Sequence, residues 1–244
     1  MLDMDDFRLE ELLTMNGLFV ISSIALSLAF IVVHRILFFM SPSFREISPE
    51  HKRWYVIANI SKAACLFGMI CSNEWKIAVY NAIIEDKFEN GMILKQIAMV
   101  YIITDGVALL MVPKLPTTTK IHHYISVGLW FHLCCWEIQH CQIAKLILIY
   151  GAFSTISYMV NLFLAMRVMY DSKKWLNQIC IIALATYIVS CFGNWIYHLN
   201  WYIKGIVANE LPLSAFPYAV VLYYIVRDDV ILMSWLWKRS FNIK

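Results

Sequence analysis

Two adjacent histidines, His122 and His123, stand where a proline-containing loop gives way to an apolar segment in PKLPTTTKIHHYISVGLW. A neutral imidazole can act near pH 7 as a nucleophile or a general base. An ionisable side chain inside a membrane span costs roughly 2.5–3.5 kcal/mol on insertion scales, so it is expected to face protein and to find a partner. The histidine pair is therefore the first candidate for catalysis in this chain.

Asp105 is the carboxylate predicted to support the pair. It precedes Pro113 by eight residues, which places it about 12 Å from the loop end at 1.5 Å rise per residue. A short loop joins antiparallel helices, so Asp105 is expected near the level of the histidines. A carboxylate there would fix the imidazole tautomer and raise its basicity. The alternative, given equal weight, is that the pair anchors the helix at the interface or caps loop carbonyls.

Residues three or four apart share a helix face, and from His123 one face continues through Ser126 and Trp130. His122 lies about 100° away and faces a different neighbour. We assign Ser126 and Trp130 to substrate binding on this interior face.

The fifth apolar segment contains FSTISYMVN, in which Ser157 and Asn161 fall on one face. Hydroxyls in membrane helices mostly bond to their own backbone, which is the default for Ser154. A buried carboxamide needs a partner, either another helix or a polar ligand. Ser157 and Asn161 are therefore also predicted to bind substrate.

Arg227, Asp228 and Asp229 are consecutive charged residues inside the last apolar segment. Unpaired carboxylates at that depth would tend to protonate, so an interior ion pair among the three is expected. Glu137 and His140 have the Glu-x-x-His spacing of di-iron bundles, but this single copy lacks the other carboxylates. No metal and no bound cofactor are predicted.

The composition indicates a membrane protein, because 61% of the 244 residues are hydrophobic and 15% are charged. A bilayer core about 30 Å thick needs roughly 20 apolar residues per helix. Seven segments meet or approach this length. They are 17–39, 54–72, 93–113, 122–140, 143–168, 177–203 and 213–237.

Residues 1–49 are predicted to hold an N-terminal lumenal segment and the first span, and residues 50–240 a six-helix domain. The acidic start MLDMDDFRLEELL is unlike a signal peptide. Of the 20 Lys and Arg residues, twelve fall on one side of the seven spans and six on the other, with Lys62 and Arg227 inside spans. Positive residues favour the cytosol, which predicts a lumenal N-terminus and a cytosolic C-terminus.

The net charge of +3 follows from this topology and indicates no nucleic-acid partner. The seven cysteines fall in or beside apolar segments, without zinc-like pairs, so we expect buried thiols rather than disulfides.

The stretch YIITDGVALLMVPKLPTTTKIHHYISV resembles the TLC-domain pattern, in which an aspartate within a span precedes a short loop and a His-His pair. Downstream, SYMVNLFLAMR is similar to the end of the family's Glu-x-Ser-Thr-x-x-x-Asn stretch, with Ser157 in the Thr place and Asn161 in the Asn place. The resemblance covers residues 50–240. It implies six helices in a barrel around a lipid cavity, with one further N-terminal span as in ceramide synthases.

Ceramide-synthase resemblance implies acyl transfer from acyl-CoA, as co-substrate, to the amine of a membrane lipid. His122 or His123 would then be nucleophile or base, Asp105 the supporting carboxylate and Asn161 a polar wall. The family expectation for location is the endoplasmic reticulum membrane. The oligomeric state stays open, with a homodimer as one alternative.

Two departures keep a second function open. Ser154 stands where many relatives have Glu, and the His-Asp-x-x-Asp element of ceramide synthases is missing after His123. The alternative is a non-enzymatic TLC protein that binds lipid or assists trafficking and so alters membrane composition. A channel or transporter is a minor alternative without a pair of broken helices to support it. A retinal protein is disfavoured because segment 213–237 lacks a Schiff-base lysine.

Overall fold

The computed structural model describes residues 9–85, 87–88, 91–136, 138, 140–170 and 174–241, and in this part every regular element is a helix. Residues 1–8 of the predicted N-terminal segment and Glu137 lie outside the described residues. The elements are α1 (Leu9–Met40), α2 (Pro42–Arg45), α3 (His51–Cys71), α4 (Asn73–Ile84), α5 (Gly91–Met111), α6 (Thr117–Cys135), α7 (Gln142–Thr155), α8 (Tyr158–Tyr170), α9 (Trp175–Ala208) and α10 (Ala215–Ser240).

Four helical segments are long and apolar enough to cross a membrane: Leu13–Met40 in α1, α3, Ile93–Met111 in α5, and α9. The pair α7 and α8 counts as a fifth if it forms one bent span. These are the helices of a multi-pass membrane protein, and α1 exposes many large apolar side chains as a lipid-facing helix does.

The fourth and seventh predicted spans form helices but are not among these candidates. Helix α6 has 19 residues and carries Lys120 and three histidines, whereas α10 has 26 residues and carries five charged ones. These polar residues lower the hydropathy of both helices. Helices α6 and α10 therefore have the length of a membrane span but not its apolar composition.

The fifth predicted span, 143–168, is broken rather than straight. Helices α7 and α8 are bent by 49° at Ile156 and Ser157. Three hydroxyls at the break bond to backbone carbonyls: Ser154 to Tyr150 at 2.8 Å, Thr155 to Ala152 at 2.6 Å and Ser157 to Ser154 at 2.6 Å. Such bonds compete with the helical ladder and bend helices, which accounts for the break.

Helix packing closes a ring. Helix α3 packs against α5, α5 against α6, α6 against α10, α10 against α9, α9 against α8, and α8 returns to α3. Helix α7 lies against α5 and α9, and α1 packs outside the ring against α3, α5 and α6. The predicted segments from the second to the seventh thus surround a common interior.

Candidate functional site

A cavity of about 370 Å³ lies inside the ring. Most helices contribute side chains spaced three, four and seven residues apart, which is the spacing of one helix face. The polar lining residues include Asn59 and Lys62 from α3, Thr104 and Asp105 from α5, His122 and His123 from α6, Tyr150 from α7, Asn161 from α8, Tyr187 and Asn194 from α9, and Asp228 and Asp229 from α10. A polar cavity inside an apolar bundle is the natural place for a ligand.

The α5–α6 hairpin explains why Asp105 meets the histidines. Asp105 lies six residues before the end of α5 at Met111, and His123 lies six residues after the start of α6 at Thr117. At 1.5 Å rise per residue, both lie about 9 Å from the connection. The pair therefore sits in the second turn of α6 and not at the helix mouth. Asp105 Oδ1 is 3.0 Å from His123 Nδ1, as predicted.

His122 faces a different helix from His123. Its Nδ1 is 3.6 Å from Oδ2 of Asp228 on α10, which is too long for a direct hydrogen bond. The two imidazole rings stand 5.8 Å apart and nearly perpendicular, at 83°. Each histidine thus has its own carboxylate neighbour, one on α5 and one on α10.

Lys62 is an ionisable residue inside a span and therefore needs a partner, which the structure shows to be Asp105. Its Nζ forms an ion pair with Asp105 Oδ1 and lies 4.5 Å from the ring centroid of Tyr101. Asp105 is fully buried, so this pair neutralises a carboxylate that would be costly to bury alone. We call Lys62, Asp105, His122 and His123 the histidine end of the cavity.

A second polar cluster, here called the tyrosine end, consists of Tyr150, Tyr187 and Asp229. The Tyr150 hydroxyl donates to Asp229 Oδ2 at 2.5 Å, and the Tyr187 hydroxyl donates to Oδ1 at 2.8 Å. Asp229 is buried, and each of its oxygens has a donor. Neither tyrosine could be assigned to this cluster from the sequence, because nothing in their spacing links α7 or α9 to α10.

The predicted ion pair of Arg227 with Asp228 and Asp229 is wrong for the described residues. Arg227 is exposed on α10, while Asp228 faces His122 and Asp229 binds the tyrosines. Consecutive residues on a helix point about 100° apart, so three in a row do not share one face.

Two of the four predicted substrate-binding residues line the cavity and two do not. Ser157 and Asn161 are lining residues. Trp130 is fully buried and stacks on Phe19 of α1, with centroids 5.7 Å apart, so it packs the bundle. Ser126 donates to the His122 carbonyl at 3.0 Å, within its own helix.

Other polar residues of the spans have structural partners. His198 is buried, with Nδ1 2.8 Å from the Asn194 carbonyl and Nε2 3.0 Å from the Tyr218 hydroxyl. His34 stacks on Trp54 at 4.6 Å. None of the seven cysteines forms a disulfide in the part of the chain that the structure describes, and three of them, Cys134, Cys180 and Cys191, are buried as expected.

Fold and site together define an all-helical membrane protein with an interior polar cavity that holds a His-His-Asp cluster. A comparison with models of protein families finds no match. Comparisons with curated proteins and with solved structures likewise find no similar chain. The TLC resemblance therefore rests on the motif residues themselves.

Proposed function

We propose that the protein is a TLC-type membrane enzyme that transfers an acyl group from acyl-CoA to a lipid amine or a related acceptor. The observation that carries this proposal is the contact of Asp105 with His123 inside a closed ring of helices. An imidazole oriented by a carboxylate is the arrangement that general-base and nucleophilic histidines use.

The reaction that we assign to the site forms one amide bond, breaks one thioester bond and transfers one proton. The amine nitrogen attacks the thioester carbonyl, either directly or after the acyl group has moved to an imidazole nitrogen. The carbon–sulfur bond breaks, and the proton lost by the amine reaches the sulfur through the imidazole. The products are an amide and the free thiol of coenzyme A.

The cavity has the size of a small-molecule site and an apolar wall beside its polar ends. Its volume of about 370 Å³ lies in the range of roughly 300–1,000 Å³ typical of small-molecule sites. Leu164, Leu232 and Trp235 provide apolar wall beside the polar ends. The proposal places the protein in the endoplasmic reticulum membrane with a lumenal N-terminus and cytosolic C-terminus.

The test is mass spectrometry of the full chain purified in detergent and incubated with acyl-CoA without acceptor. If the acyl group passes through an imidazole, the wild type gains an acyl mass on the peptide that contains His122 and His123, and the His122→Ala, His123→Ala double variant does not. If the amine attacks directly, no adduct forms, and the double variant instead loses product formation once a lipid amine is added. His132→Ala is the matched control, because His132 is on the same helix but outside the cavity lining. Full lipid-product formation by the double variant would disprove the proposal.

A second candidate is a non-enzymatic protein that binds lipid or assists trafficking. The Lys62–Asp105 ion pair favours it, because a carboxylate neutralised by lysine is less able to stabilise a developing imidazolium. This function predicts co-purified lipid, an unmodified histidine peptide and no product. A covalent acyl group on either histidine would exclude it.

A further inference from the structure

The histidine end contains buried polar atoms that have no hydrogen-bond partner among the described residues. These atoms are Nδ1 of His122, Oδ2 of Asp105 and Nδ1 of His123, which lies 3.0 Å from Asp105 Oδ1 but makes no well-aligned hydrogen bond to it. Leaving a buried donor or acceptor unpaired costs roughly 1–3 kcal/mol. Three such atoms in one cluster indicate that the site is arranged for something that binds there.

We propose that Asp105, His122 and His123 bind one divalent transition-metal ion of the zinc class. Ligand atoms of the three residues all lie within 4.8 Å of one another. Tetrahedral zinc with bonds near 2.1 Å needs ligand atoms about 3.4 Å apart, which side-chain rotations can supply. Three protein ligands with one position left open is a common zinc arrangement.

The donor set selects the class of ion. Two imidazoles and one carboxylate suit divalent first-row transition metals such as Zn²⁺, Fe²⁺ or Ni²⁺. Mg²⁺ and Ca²⁺ prefer oxygen ligands, and the two imidazole nitrogens offer them little. None of the three ligands is a cysteine, so the site does not favour Cu⁺.

Lys62 fits this site as the partner of a metal ligand. A carboxylate that binds a metal is usually also hydrogen-bonded to a neighbouring side chain, which holds it in place. Lys62 forms its ion pair with Oδ1 of Asp105. Oδ2 has no hydrogen-bond partner among the described residues and is the oxygen that would bind the metal. The positive charge of Lys62 opposes a cation, but Asp228 lies on the other side of His122, so two carboxylates and one ammonium leave one net negative charge.

Metal binding goes beyond the proposed acyl transfer and does not depend on it. An imidazole whose lone pair is held by a metal cannot attack a thioester, so one molecule cannot use the cluster in both ways at once. Metal content and acyl adducts are separate measurements, and either proposal can fail while the other stands.

The experiment uses the full chain in detergent, purified with a tag that contains no histidine, stripped with a chelator and dialysed. Zn²⁺ alone is titrated and the bound metal counted by mass spectrometry, and Co²⁺ is then used to look for ligand-field bands in the visible. One Zn²⁺ per chain is expected. His122→Ala or His123→Ala should weaken binding by more than about 100-fold, since even residues behind the ligands contribute roughly 10–100-fold.

His132→Ala is the control and should bind like the wild type, because His132 is a half-buried histidine of the same helix outside the cavity. If the alanine variants lose thermal stability, His122→Gln and His123→Gln keep a polar side chain of similar size, and the same loss of metal is expected. No stoichiometric Zn²⁺ on the wild type, or undiminished binding by the His122→Ala, His123→Ala double variant, would overturn the proposal.

Discussion

The two ends of the cavity each bury an aspartate, and they treat it differently. At the tyrosine end, both oxygens of Asp229 accept a phenolic hydroxyl, one from Tyr150 and one from Tyr187. At the histidine end, Lys62 and His123 both approach Oδ1 of Asp105, and Oδ2 has no hydrogen-bond partner among the described residues.

This difference separates structure from function within one cavity. A buried carboxylate with a donor on each oxygen stabilises the packing of the helices that bring the donors. A buried carboxylate and imidazoles that have atoms without hydrogen-bond partners can bind a substrate, a proton or an ion. The histidine end is therefore where we place the chemistry, and the tyrosine end is where we place the support.

The sharpest test of this separation compares Asp105→Asn with Asp229→Asn in acyl transfer to a lipid amine. An amide at position 105 cannot stabilise the imidazolium, so Asp105→Asn should lower the rate on the order of 10²–10⁴-fold, the usual contribution of general acid–base catalysis. Asp229→Asn should lower it far less, since its side chain bonds to tyrosines. Equal losses for both variants would show that the two ends act as one unit.

The next effect concerns stability at the histidine end. Lys62→Met leaves the Asp105 carboxylate buried without its ammonium partner, which should lower the free energy of unfolding by about 3–5 kcal/mol. Equilibrium unfolding in detergent micelles would measure it. The Lys62→Met, Asp105→Leu double variant should recover most of this loss, because a buried ion pair can be replaced by apolar side chains at little cost. If Lys62→Met alone were as stable as the wild type, the Lys62–Asp105 ion pair would not stabilise the fold.

The histidine end could be predicted from the sequence because its main contact is local. Asp105 and His123 belong to consecutive helices joined by five residues, 112–116, so spacing and helical rise alone set them at one level. The presence of Lys62 inside an apolar segment also indicated a buried partner. The identity of that partner did not follow, since several carboxylates lay at suitable depths.

The tyrosine end and the place of Asp228 could not be predicted in the same way. They depend on α10 closing the ring against α6 and α9, and no short loop fixes the order of helices so far apart in the chain. The break between α7 and α8 arises from side-chain hydroxyls bonding to the backbone, an effect that hydropathy does not register. Trp130 is buried as expected, but it packs against Phe19 of α1, outside the ring, and does not line the cavity.

A smaller effect would show the supporting role of the tyrosine end. Tyr150→Phe and Tyr187→Phe each remove one donor from Asp229 and should each lower the free energy of unfolding by about 1–3 kcal/mol. Acyl transfer by the protein that remains folded should stay near the wild-type rate. Tyr223→Phe is the matched control, because Tyr223 is an exposed tyrosine of α10. A loss of activity without a loss of stability would show that Tyr150 or Tyr187 takes part in acyl transfer.

The smallest effect is expected at Ser126, which the helical wheel assigned to substrate binding. Its hydroxyl bonds to the carbonyl of His122, one turn earlier in the same helix, and it does not line the cavity. Ser126→Ala exchanges that bond for a better helix former, so the free energy of unfolding should change by less than about 0.5 kcal/mol and acyl transfer should be unchanged. Parallel unfolding and activity assays would check this. A clear loss of activity would mean that His122 needs the hydroxyl on its own carbonyl to hold its position opposite Asp228.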